Sequence, residues 1–230
     1  MQNDSMMGLI FATMTEAKPF VQGMALEKTE STPFSVFEKR RTENEPFSVP
    51  EKGRIVLVIS GIGKANAAMA AFHCCWTFHP AFICNLGAAG ATNDSFVLGD
   101  ILHVTEVIEY DRPELGSNTP HVHFPHVLEG FSSAKVSTQD TPIIDPDKRK
   151  EIAPIAGLVD MEAASIIQAC DKFQTKCVIF KFVSDTPDHI HVDEIVMNIK
   201  QYRTPFFDFF QNAVMPRLVP EPCDPKVPKI

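Results

Sequence analysis

The chain has 230 residues, is 44% hydrophobic and carries a formal net charge of −8. That is enough apolar material for one sizeable core, so the expectation is a single domain over 1–230, with 1–6 and about 219–230 as peripheral tails. An acidic chain without a basic stripe argues against nucleic acid or an anionic membrane as partner, and leaves a small molecule.

In chain order, "GLIFAT" (8–13) is an apolar run that ends in polar residues, as a buried strand does, and "MTEAKPFVQGM" (14–24) opens a helix with Pro19 near its first turns. Residues 25–52 are charged, carry two "PFSV" echoes (33–36 and 46–49), and read as a hairpin or meander on a sheet edge. "RIVLVIS" (54–60) is a fully apolar strand, followed by a Gly-Ile-Gly turn and an alanine-rich helix over 64–78. Strands follow at 81–87 and 100–110, then a loop rich in Pro, Gly, Ser and His over 111–133, and a strand over 134–140. A short polar helix over 145–152 has Asp145 as its cap. "GLVDMEAASIIQACDKF" is a strand end and a helix, "KCVIFKFVSD" a strand, and 192–218 a closing helix interrupted or kinked at Pro205. Apolar strands that alternate with helices must be covered on both faces, which gives an α/β fold with a largely parallel sheet between helix layers.

The six cysteines, Cys74, Cys75, Cys84, Cys170, Cys177 and Cys223, form no Cys-x-x-Cys pair. They read as buried thiols, and a cytoplasmic location follows as the expectation. The first 18 residues have no basic segment before their short apolar run, and read as neither signal peptide nor anchor. The eight histidines show no zinc-like grouping with cysteines, and no metal or cofactor is expected.

In such sheets ligands bind beyond the carboxyl ends of strands, and the distinctive motifs fall there. "SGIGKANAA" (60–68) is an incomplete dinucleotide fingerprint, with Asn66 where the third glycine would be; it is either a plain tight turn or a row of N–H groups for an anion or hydroxyl. "NLGAAGA" (85–91) is a second glycine-rich strand end, again a turn or a pocket floor. "VDMEAA" (159–164) places Asp160 and Glu162 on either side of Met161 at a helix mouth. The helix dipole stabilises an acid there by roughly 0.3–1 kcal/mol; a carboxylate so placed could equally accept both hydrogen bonds of a sugar diol. Asp185 after "FVS" and Glu16 after the first strand have the same two readings, terminus acid or site acid.

Taken in order, "GLIFATMTEA", "SGIGKANAA", "NLGAAGA…LGDILHVTEVIEYD", "VDMEAASIIQAC" and "FKFVSD" resemble the nucleoside phosphorylase/nucleosidase superfamily over most of residues 8–188. The branch most similar is the 5'-methylthioadenosine/S-adenosylhomocysteine nucleosidases. The resemblance implies a three-layer α/β/α sandwich whose central mixed, mostly parallel sheet curls into a partial barrel, assembled as a homodimer. It implies a purine nucleoside as ligand, with Asp185 as the acid that protonates N7 and Ser184 orienting it. Glu162 would hold the ribose hydroxyls over Met161, and Glu16 would activate the attacking water. Ile62, Ala89, Gly90, Ile143 and Asp160 would line the pocket.

The departures set further expectations. Phosphorolytic relatives carry an arginine where Asn85 stands, so water is the expected nucleophile and release of free base and sugar the expected reaction. Lys181 replaces an arginine four positions before the acid and is the candidate for positioning water, without the bidentate fork. Ala88 replaces a serine, Pro142 an aromatic that stacks on adenine, and the 111–133 loop is short. The rival expectations are a phosphorylase or futalosine-type hydrolase on the same fold, and a non-catalytic nucleoside-binding or storage protein.

Overall fold

The computed structural model describes residues 3–39, 54–117 and 119–218. Ten strands form one sheet: β1 (Asn3–Phe11), β2 (Leu26–Glu30), β3 (Ser35–Lys39), β4 (Arg54–Ile59), β5 (Pro80–Ala91), β6 (Ile101–Pro113), β7 (Pro120–His123), β8 (Ser133–Thr138), β9 (Leu158–Asp160) and β10 (Lys176–Asp185). The helices are α1 (Met14–Gly23), α2 (Lys64–Phe78), α3 (Pro146–Ile152), α4 (Ala163–Lys172), α5 (Val192–Phe209) and α6 (Met215–Leu218). Strands β10, β6, β8, β9 and β5 pair in that order, and β5 also pairs with β10, so five strands close a ring; β1, β4, β3 and β2 extend from it through β5. The sheet is mixed, and it is parallel where β1 joins β4 and β5, where β5 joins β10, and along β6, β8 and β9.

Both faces of the sheet are covered, as the unbroken apolar strands require. Alanines and cysteines of α2 and α4, with Ile166 and Ile167, pack on one face. Phe20 of α1, Phe206 and Phe207 of α5, and Phe210 just beyond it pack on the other, with ring centroids 5.1–5.8 Å from Phe20. In β4, Val56, Leu57 and Val58 are fully buried, because each alternate side chain meets one of these two helix layers.

The sequence expectations need four corrections. Residues 1–6 are not simply a tail, since β1 begins at Asn3 and Met6 is buried opposite Arg54. The strand placed at 81–87 does not end there; β5 runs on through "NLGAAGA" to Ala91, held on one side by β10 and on the other by β1 and then β9, with Ala88, Ala89 and Gly90 on the cavity as the pocket-floor reading has it. The 111–133 segment contains the end of β6 and all of β7, which pair as an antiparallel hairpin. Helix α5 continues through Pro205 without interruption; the irregularity comes later, as a π-helical turn over Phe210–Val214. The edge hairpin is present as β2 and β3, while the second "PFSV" echo and the C-terminal tail lie outside the described residues.

Candidate active site

The ends of β1, β4, β9 and β10 and the small residues of β5 surround a cavity of about 210 Å³. Glu16, Ile62, Ala89, Gly90, Ile143, Asp160, Met161, Glu162, Ser184 and Asp185 all line it. Of the candidate site residues named from the sequence, Lys181 alone is not on the wall.

Each acid is fixed by a different local device. Thr13 caps α1, and Glu16 is the reciprocal partner of that cap. The Thr13 N–H and hydroxyl donate to Glu16 Oε2 (2.9 and 2.7 Å), and the Glu16 N–H donates to Thr13 Oγ1 (3.3 Å). The other oxygen, Oε1, accepts the Ala88 N–H at 2.9 Å. Gly87 makes this contact possible, since a Cβ at position 87 would lie 2.6 Å from Glu16 Oε1. Glu16 is thus a helix-start acid and a cavity acid at once.

At the mouth of α4 the two readings of the carboxylates separate. Asp160 caps the helix: Oδ2 accepts the Ala163 N–H at 3.0 Å and Oδ1 the Thr138 hydroxyl at 2.5 Å. Glu162 makes no such cap. It turns into the cavity, and Oε1 accepts the Gly63 N–H at 2.9 Å. The glycine turn after β4 therefore presents its N–H groups to the protein's own acids, Gly63 to Glu162 and Lys64 to Asp140 at 2.7 Å. Burial and the neighbouring Asp160 charge push the Glu162 carboxyl up to about 7, against the opposing pull of Lys181 and of the Gly63 N–H.

Lys181 is 2% exposed beneath this floor, with Nζ 2.8 Å from Asp160 Oδ2. Burial alone would lower its pKa, but the charges of Asp160 and Glu162 outweigh that and hold it above the usual lysine value. It is a buried counter-ion for the carboxylates.

Asp185 at the end of β10 is held through both oxygens. The Ser184 hydroxyl donates to Oδ1 at 2.5 Å, and Oδ2 accepts from Arg149 Nη2. Arg149 was missed in the sequence, where it stands inside a polar helix. It is 1% exposed and lines the cavity. Its Nε donates to the Ile143 carbonyl (2.9 Å) and its Nη1 to the Ala91 carbonyl (2.7 Å). The one local sign of its direction is Ile152, three residues on and equally buried, which puts both on the sheet-facing side of α3. Ile195 and Ile199 of α5 complete the apolar wall beside Asp185.

Comparisons with known proteins place this geometry. The model of the phosphorylase superfamily matches residues 7–204. A 5'-methylthioadenosine/S-adenosylhomocysteine nucleosidase of Bacillus cytotoxicus is 28% identical over 159 residues, which are 57% of this chain and 68% of that protein. The structure of Arabidopsis thaliana 5'-methylthioadenosine nucleosidase superposes with a TM-score of 0.79 at 20% identity, covering 95% of this chain and 97% of that one. A futalosine hydrolase mutant of Helicobacter pylori gives 0.76 at 14% identity, over 90% of this chain and 97% of that one. At these identities the two structures speak for the fold. The family match runs from β1 into α5 and so includes every strand end that carries a cavity acid; this chain belongs to the phosphorylase superfamily.

Proposed function

We propose that the chain is an N-ribosyl hydrolase that cleaves the N-glycosidic bond of a purine nucleoside. Its substrate in this reading is a 5'-substituted adenosine of the methylthioadenosine/S-adenosylhomocysteine type, split to free base and sugar. The observation that carries this is the convergence of Glu16, Glu162 and Asp185 on one cavity from three separate parts of the chain.

The chemistry divides among them. Glu162 keeps an oxygen, Oε2, for the ribose hydroxyls, and Met161 beside it offers an apolar floor for the ring. Breaking the bond moves negative charge onto the base, and Asp185, held by Ser184 and lining the same cavity, is the acid that delivers a proton to it in this reading. Glu16 accepts the proton of the attacking water. Arg149 is the only cationic side chain on the wall among the described residues, and Asp185 already holds it; Asn85, in the place of a phosphate-binding arginine, is buried. This supports water over phosphate as nucleophile. The test is base release from methylthioadenosine and S-adenosylhomocysteine with and without inorganic phosphate. We expect adenine release at the same rate in both. Binding without release, or release only with phosphate, would refute the reading.

The working form in this reading is a cytoplasmic homodimer. Five cysteines in the described residues are free thiols, in keeping with a reducing compartment. No helix among the described residues is long and apolar enough to cross a membrane. On α2, Met69, Phe72 and Trp76 are each more than half exposed on one helix face, with Phe72 and Trp76 stacked at 6.1 Å and Phe173 against both. An apolar stripe of this kind is the mark of a protein–protein contact. Trp76→Glu is expected to convert the dimer to monomer at micromolar concentration in sedimentation velocity; an unchanged dimer would place the interface elsewhere.

A further inference from the structure

The glycine turn that meets Glu162 is bracketed from outside. Gly61 and Gly63 both have φ in the left-handed region (85° and 96°), and Gly63 opens α2 with no side chain to cap it. The start of the turn is tied to β1, where the Ser60 and Gly61 N–H groups donate to the Phe11 and Ala12 carbonyls at 2.9 and 3.0 Å. Its far half is tied to acids. Lys64 Nζ donates to Asp111 Oδ1 at 2.6 Å and to Glu109 Oε1 at 3.1 Å, both near the end of β6. The Lys64 N–H donates to Asp140, and the Asp140 N–H donates to Asp111 Oδ2 at 3.0 Å, so Lys64, Asp111 and Asp140 close a ring of bonds. Burial alone would lower the Lys64 pKa, but the bonds to Asp111 and Glu109 outweigh it and hold the ammonium above the usual lysine value.

This bracket leads back to the helix that starts at Glu162. Glu109 is buried, and its Oε2 accepts from Arg112 Nη1 at 3.0 Å and from Gln168 Nε2 of α4 at 3.1 Å. Glu162 stands at the mouth of the same helix and takes the Gly63 N–H. The turn and α4 are therefore joined twice, directly through Gly63 and Glu162, and farther along the helix through Lys64, Glu109 and Gln168. An isolated exposed ion pair contributes little; this one ties the start of α2 to β6, and β6 to α4. The Lys64 side chain itself does not line the cavity. We propose that Lys64 is a positioning residue for nucleoside binding: its ammonium fixes the glycine turn to β6, and with it the Gly63 N–H that aims Glu162 at the ribose hydroxyls. The proposal rests on the reading of Glu162 as the ribose carboxylate.

The test is Lys64→Met in the full chain, with methylthioadenosine as substrate and adenine release followed across pH. Lys64 and Asp111 are partly exposed, and Glu109 keeps Arg112 and Gln168, so the variant strands no buried charge. We expect KM at pH 7 to rise about tenfold, with kcat within about threefold of wild type. Without the Gly63 N–H, Glu162 loses a donor that favours its charged form, while Asp160, Lys181 and Glu16 still face it. The fall of KM with pH should therefore move to higher pH than in the wild type. Lys64→Arg, which keeps the charge, should restore most of the lost affinity, and Asp111→Ala, at the other end of the bracket, should repeat the Lys64→Met result. A wild-type KM in Lys64→Met overturns the proposal whatever happens to kcat, because a merely structural bracket changes the amount of folded enzyme and not KM. So does a raised KM whose pH step has not moved, since the effect would then lie elsewhere than at Glu162. Should Lys64→Met fail to fold, Asp111→Ala decides by the same two readings. If the wild type releases no adenine, the hydrolase reading fails. The carboxyl carbon of Glu162, followed by NMR across pH, then decides the role of Lys64 independently: its midpoint must be higher in Lys64→Met than in the wild type.

Discussion

Asp185→Asn is expected to lower kcat by about 10²–10⁴, because an amide cannot supply the proton that relieves charge on the departing base. The same substitution is expected to weaken the fold. It leaves the Arg149 guanidinium buried without its ionic partner, and breaking a buried pair from one side costs about 3–5 kcal/mol. These two effects separate in a second variant. Adding Arg149→Met to Asp185→Asn removes the stranded charge and replaces it with an apolar side chain, so the urea midpoint should recover while turnover stays low. Recovery of turnover with stability would mean that Asp185 serves structure and that the proton comes from elsewhere. A single mutant with near wild-type kcat would remove it from the mechanism outright.

Glu162 gives the second large effect, and it is pH-dependent. Its carboxyl is pushed from 4.5 up to about 7 in the folded protein. Between those values the folded chain holds a proton that the unfolded chain has released, so folding binds protons there. This group's contribution is therefore fully present below pH 4.5 and is lost as pH rises through about 7. The shift corresponds to about 3 kcal/mol. Glu162→Gln has no such proton to lose. The stability of the variant relative to wild type, from urea unfolding at each pH, should rise by about that amount between pH 4.5 and 8. A flat difference would show that Glu162 is ionised throughout. The same titration governs the ligand. Above pH 7 a carboxylate faces the cavity and accepts both hydroxyls of a ribose diol; below it a neutral acid accepts less well. KM for the nucleoside should fall as pH rises through 7 in the wild type, and this step should be absent in Glu162→Gln.

The acids that line the candidate site stood out in the sequence because they interrupt apolar runs. Glu162 and Asp185 stand where strands that bury both faces give way to polar residues, and only a ligand site or a helix cap explains a carboxylate there. Local spacing could not say which was which. It took the register of β8 beside β9, which brings Thr138 opposite Asp160, to show that Asp160 is the cap and that Glu162 is left free to turn inward. The strand through "NLGAAGA" was ended at residue 87 instead of Ala91 for a related reason. Glycine and alanine have low strand propensity, and the pairing of β5 on both edges overrides it. Arg149 carried almost no signal. Its neighbours Lys148 and Lys150 are exposed and pair with Glu151 and Asp147 along the helix surface, so the segment has the composition of a solvated face. Only the rotation of α3 against the sheet turns one of its three basic residues into the core.

β5 is bonded to three strands, β1, β9 and β10, and it is the junction between the ring and the open part of the sheet. Its partners begin at residue 3 and end at residue 185. Contacts so far apart in the chain close late, because the loop between them must be ordered first. A nascent chain emerging from the ribosome would therefore hold Glu16 and the glycine turn for most of its synthesis without a working pocket. The last strand to arrive, β10, brings Asp185, the proposed proton donor, and closes the ring, and α5 then adds the rest of the cavity wall, so that the pocket and the fold are completed together near the end of synthesis.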